Sequence, residues 1–279
     1  RVGGKTDGVR LPLVPLQTFG ERPPLFLAHP AGGHVVCYRG LAHFLAPEQP
    51  VYALQPRGVE DGEAPIDRLE EMAARYVAAI RELRPRGPYR LGGWSFGGVL
   101  AWEMARQIDA IGEEVDLLAL FDTAPTSVSM SYDPGDPAEV TWHTVAGLAG
   151  HAAAARVDVA TLRGLEPREQ VLAMIRGMDL PQLFPESRAD DVLALTAVRA
   201  ANLRAQAVHV PGEYGGHLTY FRTAGSDDAD GNSPGTEYWS SLARGGTTVH
   251  AVGGTHGTIL HEPYVQVLAA GILEVGKKD

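Results

Sequence analysis

The chain has 279 residues, of which 44% are hydrophobic and 21% charged, as is typical of a soluble globular protein with a full core. No run approaches the roughly 20 apolar residues of a membrane helix, and residues 1–8 lack the apolar region of a signal peptide. The formal net charge of −10 argues against a nucleic-acid partner. The single cysteine, Cys37, excludes an intrachain disulfide and fits a reducing cytosol, where we expect it to be a small core residue.

The first half of the chain alternates short apolar runs with helical patterns. Residues 1–22 are predicted to be a linker, flexible over the first eight residues, followed by an N-terminal strand, and the missing initial Met favours a domain cut from a longer polypeptide. From residue 23 the alternation predicts a mostly parallel α/β sheet with helices on both faces. The predicted strands are 24–28, 51–54, 89–94 and 117–121, and the predicted helices are 35–45, 69–83 and 99–108.

The alternation stops in the middle of the chain, where helical patterns and loops occur without a convincing strand. Such an insertion is best interpreted as a lid over the strand ends, where α/β sheets bind ligands, and a purely structural helical subdomain is the alternative. Helices are predicted near 138–148, 169–178 and 190–205, strands return at 218–222 and 248–252, and a last helix is predicted at 265–275. The predicted division is an α/β core at 23–126 and 207–279, interrupted by a helical lid at 127–206.

A G-x-S-x-G motif at residues 93–97 stands between a predicted strand and a predicted helix. In that context the motif predicts a sharp, strained turn that exposes the hydroxyl of Ser95, with glycines where a Cβ does not fit. A serine hydroxyl is a poor nucleophile at its ordinary pKa, so the chain must also supply a base and a group that orients the base. We therefore predict that Ser95 is a catalytic nucleophile in an α/β-hydrolase fold.

The base is predicted to be His256, which lies in a glycine-flanked loop between the last strand and the last helix. The order of serine before histidine along the chain matches the hydrolase layout. His261 is the nearest rival and is expected to open the last helix instead. His29 ends a strand beside a glycine loop and is expected to pack near the site without transferring protons.

The acid has candidates after two different strands. Asp122 directly follows the strand that ends at Phe121, so its carboxylate is expected at the same sheet edge as Ser95. Asp227 and Asp228 follow the next strand, where many simple α/β hydrolases place their acid. Spacing alone leaves these positions almost evenly matched.

Oxyanion donors must be backbone amides close to the nucleophile. The amide of Phe96 follows Ser95 directly, and the second donor is expected from the loop after the first parallel strand. In that loop Pro30 has no N–H to donate, so Ala31 is predicted and Gly32 is the next choice. No cluster of cysteine and histidine has the spacing of metal ligands, so no metal is predicted.

With these residues in place, residues 23–273 resemble the terminal thioesterase domains of nonribosomal peptide synthetases, which are close to those of polyketide synthases. The family places its acid after the strand that follows the nucleophile helix, and the resemblance therefore favours Asp122 over Asp227 and Asp228. The loop at 227–234 is longer and more acidic than the resemblance implies. The motifs that carry the resemblance are HPAGG at 29–33, YALQPRG at 52–58, GGWSFGG at 92–98, FDT at 121–123 and GTH at 254–256.

The resemblance implies release of a peptidyl or acyl chain from the phosphopantetheine arm of a carrier domain, through a serine ester, by water or by an internal nucleophile. It implies no cofactor bound by the domain itself, a carrier domain in the same polypeptide, and a cytoplasmic location. Within the family the chain resembles cyclic-depsipeptide-forming domains such as that of valinomycin synthetase. The predicted lid can cover a large acyl chain and exclude water from the ester, so macrocyclisation is expected. The alternatives are hydrolytic release, a type II editing thioesterase, a generic carboxylesterase, and a catalytically inactive binding scaffold.

Overall fold

The computed structural model describes residues 5–6, 9–10, 12–59, 62–125, 133–179, 185–224 and 234–275. The strands are β1 (Lys5–Thr6), β2 (Val9–Arg10), β3 (Leu13–Gln17), β4 (Leu25–Ala28), β5 (Val51–Leu54), β6 (Tyr89–Trp94), β7 (Val115–Phe121), β8 (Leu218–Thr223) and β9 (Thr247–Val252). The helices are α1 (Arg39–Leu45), α2 (Leu69–Leu83), α3 (Phe96–Ala110), α4 (Pro137–Ala149), α5 (His151–Ala154), α6 (Pro167–Met178), α7 (Ala189–Val208), α8 (Pro234–Leu242) and α9 (Tyr264–Glu274). Short 3-10 helices lie at Val36–Tyr38, Val159–Leu162 and Glu186–Arg188.

The main sheet of the described residues has seven strands in the order β3-β5-β4-β6-β7-β8-β9. The edge strand β3 pairs antiparallel with β5, and the other neighbours pair in parallel. Parallel strands are covered on both faces, which is why β4 is a continuous apolar run with every residue buried. The predicted mostly parallel α/β fold is confirmed.

The N-terminal residues differ from the expected linker. Lys5–Thr6 pairs antiparallel with Val9–Arg10 in a separate two-stranded ladder. The linker predicted over the first eight residues thus contains one strand of this short ladder. The strand predicted within residues 1–22 is Leu13–Gln17, at the edge of the main sheet.

The two faces of the sheet bury alternate residues of each strand. In β4, Phe26 belongs to the apolar cluster formed with α2 and α3, whereas Leu27 belongs to the cluster formed with α1 and α9. Successive side chains of a strand point to opposite faces, so one buried strand contributes to both clusters. Helices therefore cover both faces, as predicted.

The helices α4 to α7, called here the inserted helices, lie between β7 and β8 in the chain. They contain the three helices predicted in this region, and polar caps explain why their boundaries differ from the apolar pattern. Asp136 accepts a hydrogen bond from the amide of Ala138 at the start of α4, and Glu166 and Glu169 form a capping box at the start of α6. These caps satisfy amides that have no acceptor within the helix.

The inserted helices, with the short 3-10 helix at Val159–Leu162, have an apolar cluster of their own. It includes Leu162, Met174 and Met178, all fully buried.

The helix α8 was not predicted, because its few apolar residues stand among glycine and serine. Within the described part of the chain, no helix is both long and apolar enough to cross a membrane.

The carboxyl ends of β6, β7 and β8 lie side by side. Trp94 is opposite Phe121 in the β6–β7 register, and Phe121 is opposite Phe221 in the β7–β8 register. The carboxyl ends of neighbouring parallel strands lie at the same sheet edge. This edge therefore brings together Ser95, which follows β6, Asp122, which follows β7, and Thr223, which ends β8. The candidate site lies at this edge.

Candidate active site

Ser95 occupies a strained turn between β6 and α3. Its φ of 58° and ψ of −124° are values that an L-residue adopts only when its surroundings impose them. The flanking glycines permit the turn, because a Cβ on Gly93 would lie 2.1 Å from the carbonyl oxygen of Gly97. A Cβ on Gly97 would lie 2.4 Å from the carbonyl oxygen of Ala28, at the end of β4. The motif thus brings the start of α3 into close contact with the neighbouring strand.

The imidazole of His256 joins Ser95 to Asp122. Its Nε2 lies 3.1 Å from Ser95 Oγ, and its Nδ1 lies 2.8 Å from Asp122 Oδ2. An ionised carboxylate only accepts hydrogen bonds, so Nδ1 carries the proton and Nε2 is left to accept the serine hydroxyl. The Asp122 side chain is 4% exposed and that of His256 is 50% exposed. The structure therefore brings the predicted nucleophile, base and acid into one hydrogen-bonded chain.

The carboxylate of Asp122 is held at both oxygens. Oδ1 accepts hydrogen bonds from the amide and the hydroxyl of Thr223, at 3.1 and 3.0 Å, which leaves Oδ2 to His256. Burial raises the pKa of Asp122, but the hydrogen bonds from His256 and Thr223 outweigh this effect and hold the pKa below its ordinary value. Asp122 is therefore ionised at neutral pH. The sequence analysis missed Thr223, whose position at the end of the next parallel strand was the available signal.

The backbone around Asp122 is fixed by residues far away in the sequence. Asp122 has a left-handed φ of 45°, and its amide donates to the carbonyl of Phe221 at 2.7 Å. The carbonyl of Thr123 accepts hydrogen bonds from Tyr220 Oη and Trp239 Nε1, both at 2.9 Å. Trp239 lies in the unpredicted helix α8, so this support was also missed by the sequence analysis.

The loop that carries His256 is held by the residue before the nucleophile. Trp94 Nε1 donates to the carbonyl oxygen of His256 at 3.1 Å, and the two side-chain rings lie 5.2 Å apart. Gly254 has a φ of 85°, a left-handed value that glycine adopts without strain. Trp94 therefore positions the backbone of His256 as well as contacting its imidazole.

The predicted oxyanion donors lie at the start of α3 and after β4. Phe96 is the first residue of α3, so its amide has no acceptor within the helix. Residues 30–33 form a turn, called here the oxyanion turn, in which the Gly33 amide donates to the Pro30 carbonyl at 2.8 Å. The carbonyl of Ala31 accepts a hydrogen bond from Asn202 Nδ2 in α7 at 2.9 Å.

The remaining candidates of the sequence analysis lie outside the hydrogen-bonded chain. His29 is fully buried between the rings of Tyr76 and Phe96, and burial lowers its pKa to about 4, so it is neutral at physiological pH. His261 precedes α9, and its carbonyl accepts from the amide of Val265 in the first turn of that helix. Cys37 is only partly buried, at the margin of an apolar cluster, which corrects the expected core position.

Asp227 and Asp228 lie outside the described residues, so the structure provides no comparison between them and Asp122. Among the residues that the structure describes, no group of three or more histidine, cysteine, aspartate or glutamate side chains could hold a metal ion.

Comparison with known proteins gives a match to the family described as "Thioesterase domain" over residues 23–270. Over 113 residues, or 40% of this chain, the sequence is 47% identical to a dimodular nonribosomal peptide synthase of Bacillus subtilis (strain 168), of which the match covers 5%. The chain thus spans only a small part of that relative.

Two solved structures are similar over nearly the whole chain. A crystal structure of holo-AB3403, a four-domain nonribosomal peptide synthetase, matches 97% of this chain and 20% of its own, with a TM-score of 0.81 and 26% identity. The NocB thioesterase domain, in a covalent complex with a fluorophosphonate nocardicin G analogue, matches 92% of this chain and 95% of its own, with a TM-score of 0.67 and 28% identity. The family match and these neighbours agree in fold and extent, and the chain belongs to the thioesterase domain family, as a homologue of the terminal thioesterase domains of nonribosomal peptide synthetases.

Proposed function

We propose that this domain releases a peptidyl or acyl chain from the phosphopantetheine thioester of a carrier domain through an ester on Ser95. The observation that carries the proposal is the hydrogen-bonded chain from Ser95 through His256 to the buried carboxylate of Asp122. This arrangement matches the roles of nucleophile, base and orienting acid in serine hydrolases. A scaffold used only for binding has no need for it.

In the acylation step, Ser95 Oγ attacks the thioester carbonyl carbon while His256 Nε2 takes the hydroxyl proton. The tetrahedral intermediate places a negative charge on the former carbonyl oxygen, where the amides of Phe96 and Ala31 would donate hydrogen bonds. The C–S bond then breaks, and the imidazolium returns its proton to the departing thiolate. Asp122 stays ionised throughout and stabilises the imidazolium that forms.

In the release step, His256 deprotonates the group that attacks the ester, the bond between the acyl carbon and Ser95 Oγ breaks, and the imidazolium returns the proton to Oγ. We propose that this group is mainly a hydroxyl or amine of the bound chain, so that the product is a macrocycle such as a cyclic depsipeptide. A well-oriented internal group reaches an effective molarity of about 10⁵ M or more, which lets it compete with bulk water. The inserted helices are proposed to act as a lid that folds the chain back and shields the ester.

Hydrolytic release is the second candidate. The observation that favours it is the exposure of His256, whose side chain is 50% exposed, because water has direct access to the base. The two routes share the same acyl-enzyme and differ only in the group that attacks it. Hydrolysis is therefore an alternative outcome of the same chemistry.

The proposed partner is a carrier domain in the same polypeptide. The relatives support this, since the synthase from Bacillus subtilis and holo-AB3403 are much longer than this chain. No cofactor is proposed for the domain itself, because the carrier domain delivers the substrate on its own prosthetic arm. We also propose a cytoplasmic location, which suits the single thiol at Cys37.

Intact mass spectrometry tests the proposal on the whole domain. Incubation with the N-acetylcysteamine thioester of a peptide carrying an N-terminal hydroxyl should add the peptidyl mass to the protein, and Ser95→Ala should abolish that addition. The released product should be mainly cyclic, with a minor linear acid. A covalent peptidyl adduct on Ser95→Ala would refute the nucleophile, and linear acid alone from every long peptide would replace cyclisation with hydrolysis.

A further inference from the structure

The oxyanion turn contains one peptide group that its own hydrogen bond does not hold. The Pro30 carbonyl accepts from the amide of Gly33 at 2.8 Å, and His29 Nδ1 lies 3.0 Å from the same oxygen. These contacts hold the Pro30–Ala31 peptide. The central peptide, from Ala31 to Gly32, takes no part in them.

The central peptide of such a turn has two accessible orientations. Type I and type II turns differ mainly by a flip of this peptide, and type II requires a left-handed φ at the third residue, here Gly32. Glycine adopts that value without steric cost. In the structure the left-handed φ of this turn is at Gly33, with a value of 77°, and not at Gly32, so the turn is not type II.

The side chain that holds the central peptide comes from the inserted helices. Asn202, which is 2% exposed in α7, donates from Nδ2 to the Ala31 carbonyl at 2.9 Å. In a trans peptide the C=O and N–H point in opposite directions, so the Gly32 N–H points away from Asn202. One turn earlier in α7, Val198 packs on Gly33, where an added Cβ would lie 2.7 Å from Val198 Cγ1. The helix α7 is thus seated directly on the oxyanion turn.

We propose that Asn202 is a positioning residue that keeps the Ala31–Gly32 peptide oriented so that the turn presents N–H groups, and not a carbonyl oxygen, to the oxyanion formed on Ser95 acylation. This role rests on the proposed function. Without the hydrogen bond from Asn202, Gly32 permits the flip, and the Ala31 carbonyl oxygen replaces the Gly32 N–H on the face opposite α7. The proposal places this face of the turn toward the oxyanion, next to the Ala31 N–H that is proposed as a donor, and a carbonyl oxygen there would repel the charge that develops in the transition state. The seating of α7 is thereby coupled to catalytic competence.

Steady-state kinetics with a short peptidyl N-acetylcysteamine thioester test the role. Asn202→Leu keeps a similar volume and removes the donor, and we expect kcat to fall about 10- to 100-fold while KM is unchanged. A trifluoromethyl ketone analogue of the substrate, which forms a tetrahedral adduct, should lose affinity by a similar factor. Thr196→Val is the matched control, since Thr196 is buried in α7 and its hydroxyl bonds to Val192 O of the same helix at 3.0 Å. This control should leave kcat unchanged.

A double-mutant cycle with Gly32→Ala separates positioning from general packing. Alanine disfavours the left-handed φ of the flipped turn, so Asn202→Leu should cost less in the Gly32→Ala background than in the parent. The added Cβ would lie 3.0 Å from the ring of His34, so Gly32→Ala alone can change kcat. The double variant is therefore compared with Gly32→Ala and not with the parent.

The proposal is overturned if Asn202→Leu retains the parent kcat, if only KM changes, or if its cost is equal in both backgrounds. If Asn202→Leu does not fold, Asn202→Thr replaces it, because a helical threonine bonds to its own helix as Thr196 does. Acylation of Ser95 in the parent domain is measured first. A parent that forms no adduct contradicts the proposed function, whereas an acylated parent with an unaffected Asn202 variant contradicts this inference alone.

Discussion

The sheet edge around Ser95 and the inserted helices are held together in different ways. At the sheet edge, hydrogen bonds fix single groups, as at Asp122, where both carboxylate oxygens have partners. Ser95 and Asp122 also have left-handed φ values, 58° and 45°, which their surroundings must impose. The inserted helices rely on apolar packing among themselves, with Met174 and Met178 fully buried.

The two regions meet along α7. Val192, near its start, belongs to the cluster of the inserted helices, whereas Ala205, near its end, belongs to the core cluster. Asn202 Nδ2 donates to the carbonyl of Ala31 in the oxyanion turn. His209 follows the helix, and its Nδ1 lies 2.9 Å from Oε1 of Glu70 in α2. The helix α7 thus joins the site to the separately packed inserted helices. We therefore expect variants away from Asn202 to affect either the chemistry or the packing of the inserted helices, whereas Asn202 variants affect the chemistry from within α7.

The largest effect is expected from Asp122→Asn, which should lower kcat by about 10⁴-fold, as for the equivalent change in a serine protease triad. The amide no longer favours the tautomer in which Nδ1 of His256 carries the proton. Turnover of a peptidyl thioester measures the effect, and the melting temperature checks the fold. The controls are Asp227→Asn and Asp228→Asn. If either of these costs more than Asp122→Asn, the acid follows the later strand.

A pair of methionine variants compares the two regions directly. Met174→Ala empties space among the inserted helices, and Met104→Ala does so under α3 in the core, where Met104 is 1% exposed. Each should destabilise its own region by about 2–5 kcal/mol. Met174→Ala should raise proteolysis within residues 133–179 and the ratio of linear to cyclic product, with little change in turnover of a short thioester. Met104→Ala should lower the unfolding midpoint of the whole domain.

Equal proteolysis of the inserted helices in the two methionine variants would contradict separate packing. If proteolysis shows that the inserted helices are loosened in Met174→Ala and the ratio of linear to cyclic product is unchanged, the inserted helices do not control cyclisation.

Stability should fall in mild acid because of His29 in the core. Burial lowers its pKa from 6.5 to about 4, so between these values the unfolded chain binds a proton that the folded chain does not. Above about pH 6.5 His29 does not lower the free energy of unfolding. As the pH falls toward 4, this free energy decreases by about 3 kcal/mol. Denaturant unfolding at several pH values measures it, and His29→Gln should flatten the dependence.

The inserted helices contain a counterpart to His29. Burial, together with the charges of Arg199 and His151, lowers the pKa of His143 to about 4. His143→Gln should therefore reduce the acid dependence of the stability of the inserted helices, measured by their proteolysis at several pH values.

If the stability of the parent and that of His29→Gln depend equally on pH, the buried imidazole of His29 does not set the acid sensitivity of the core.

The smallest of these effects is expected from Thr223→Val, which removes the hydroxyl donor to Asp122 Oδ1 and keeps the amide donor. A hydrogen bond to a charged group contributes about 1.5–3 kcal/mol, so kcat should fall about 10- to 100-fold. The pKa of Asp122 should rise, because the ionised carboxylate loses one of its hydrogen-bond donors. Thr219→Val, at a buried position of the same strand, is the control. A loss confined to KM would exclude this role.

The elements with strong periodicity were predictable because their pattern is local. The apolar runs of β4 and β7 and the helical spacing in α2 gave a mostly parallel sheet, which the structure confirms. The helix α8 was missed because nine residues with few apolar positions do not establish a period. The boundaries of α4 and α6 depend on caps such as Asp136, which the apolar pattern does not describe.

The sequence by itself determined the turn at Ser95, because the need for Gly93 arises within a few residues of the chain, whereas the need for Gly97 comes from its contact with Ala28 at the end of β4. It supplied three candidate acids and could not pair one with His256 from spacing. Only the tertiary structure showed that Asp122 Oδ2 lies 2.8 Å from His256 Nδ1. Only it showed that Thr223 donates to Asp122 and that Asn202 donates to Ala31. Backbone conformation depends mainly on near neighbours, whereas hydrogen-bond partners depend on how distant strands and helices pack.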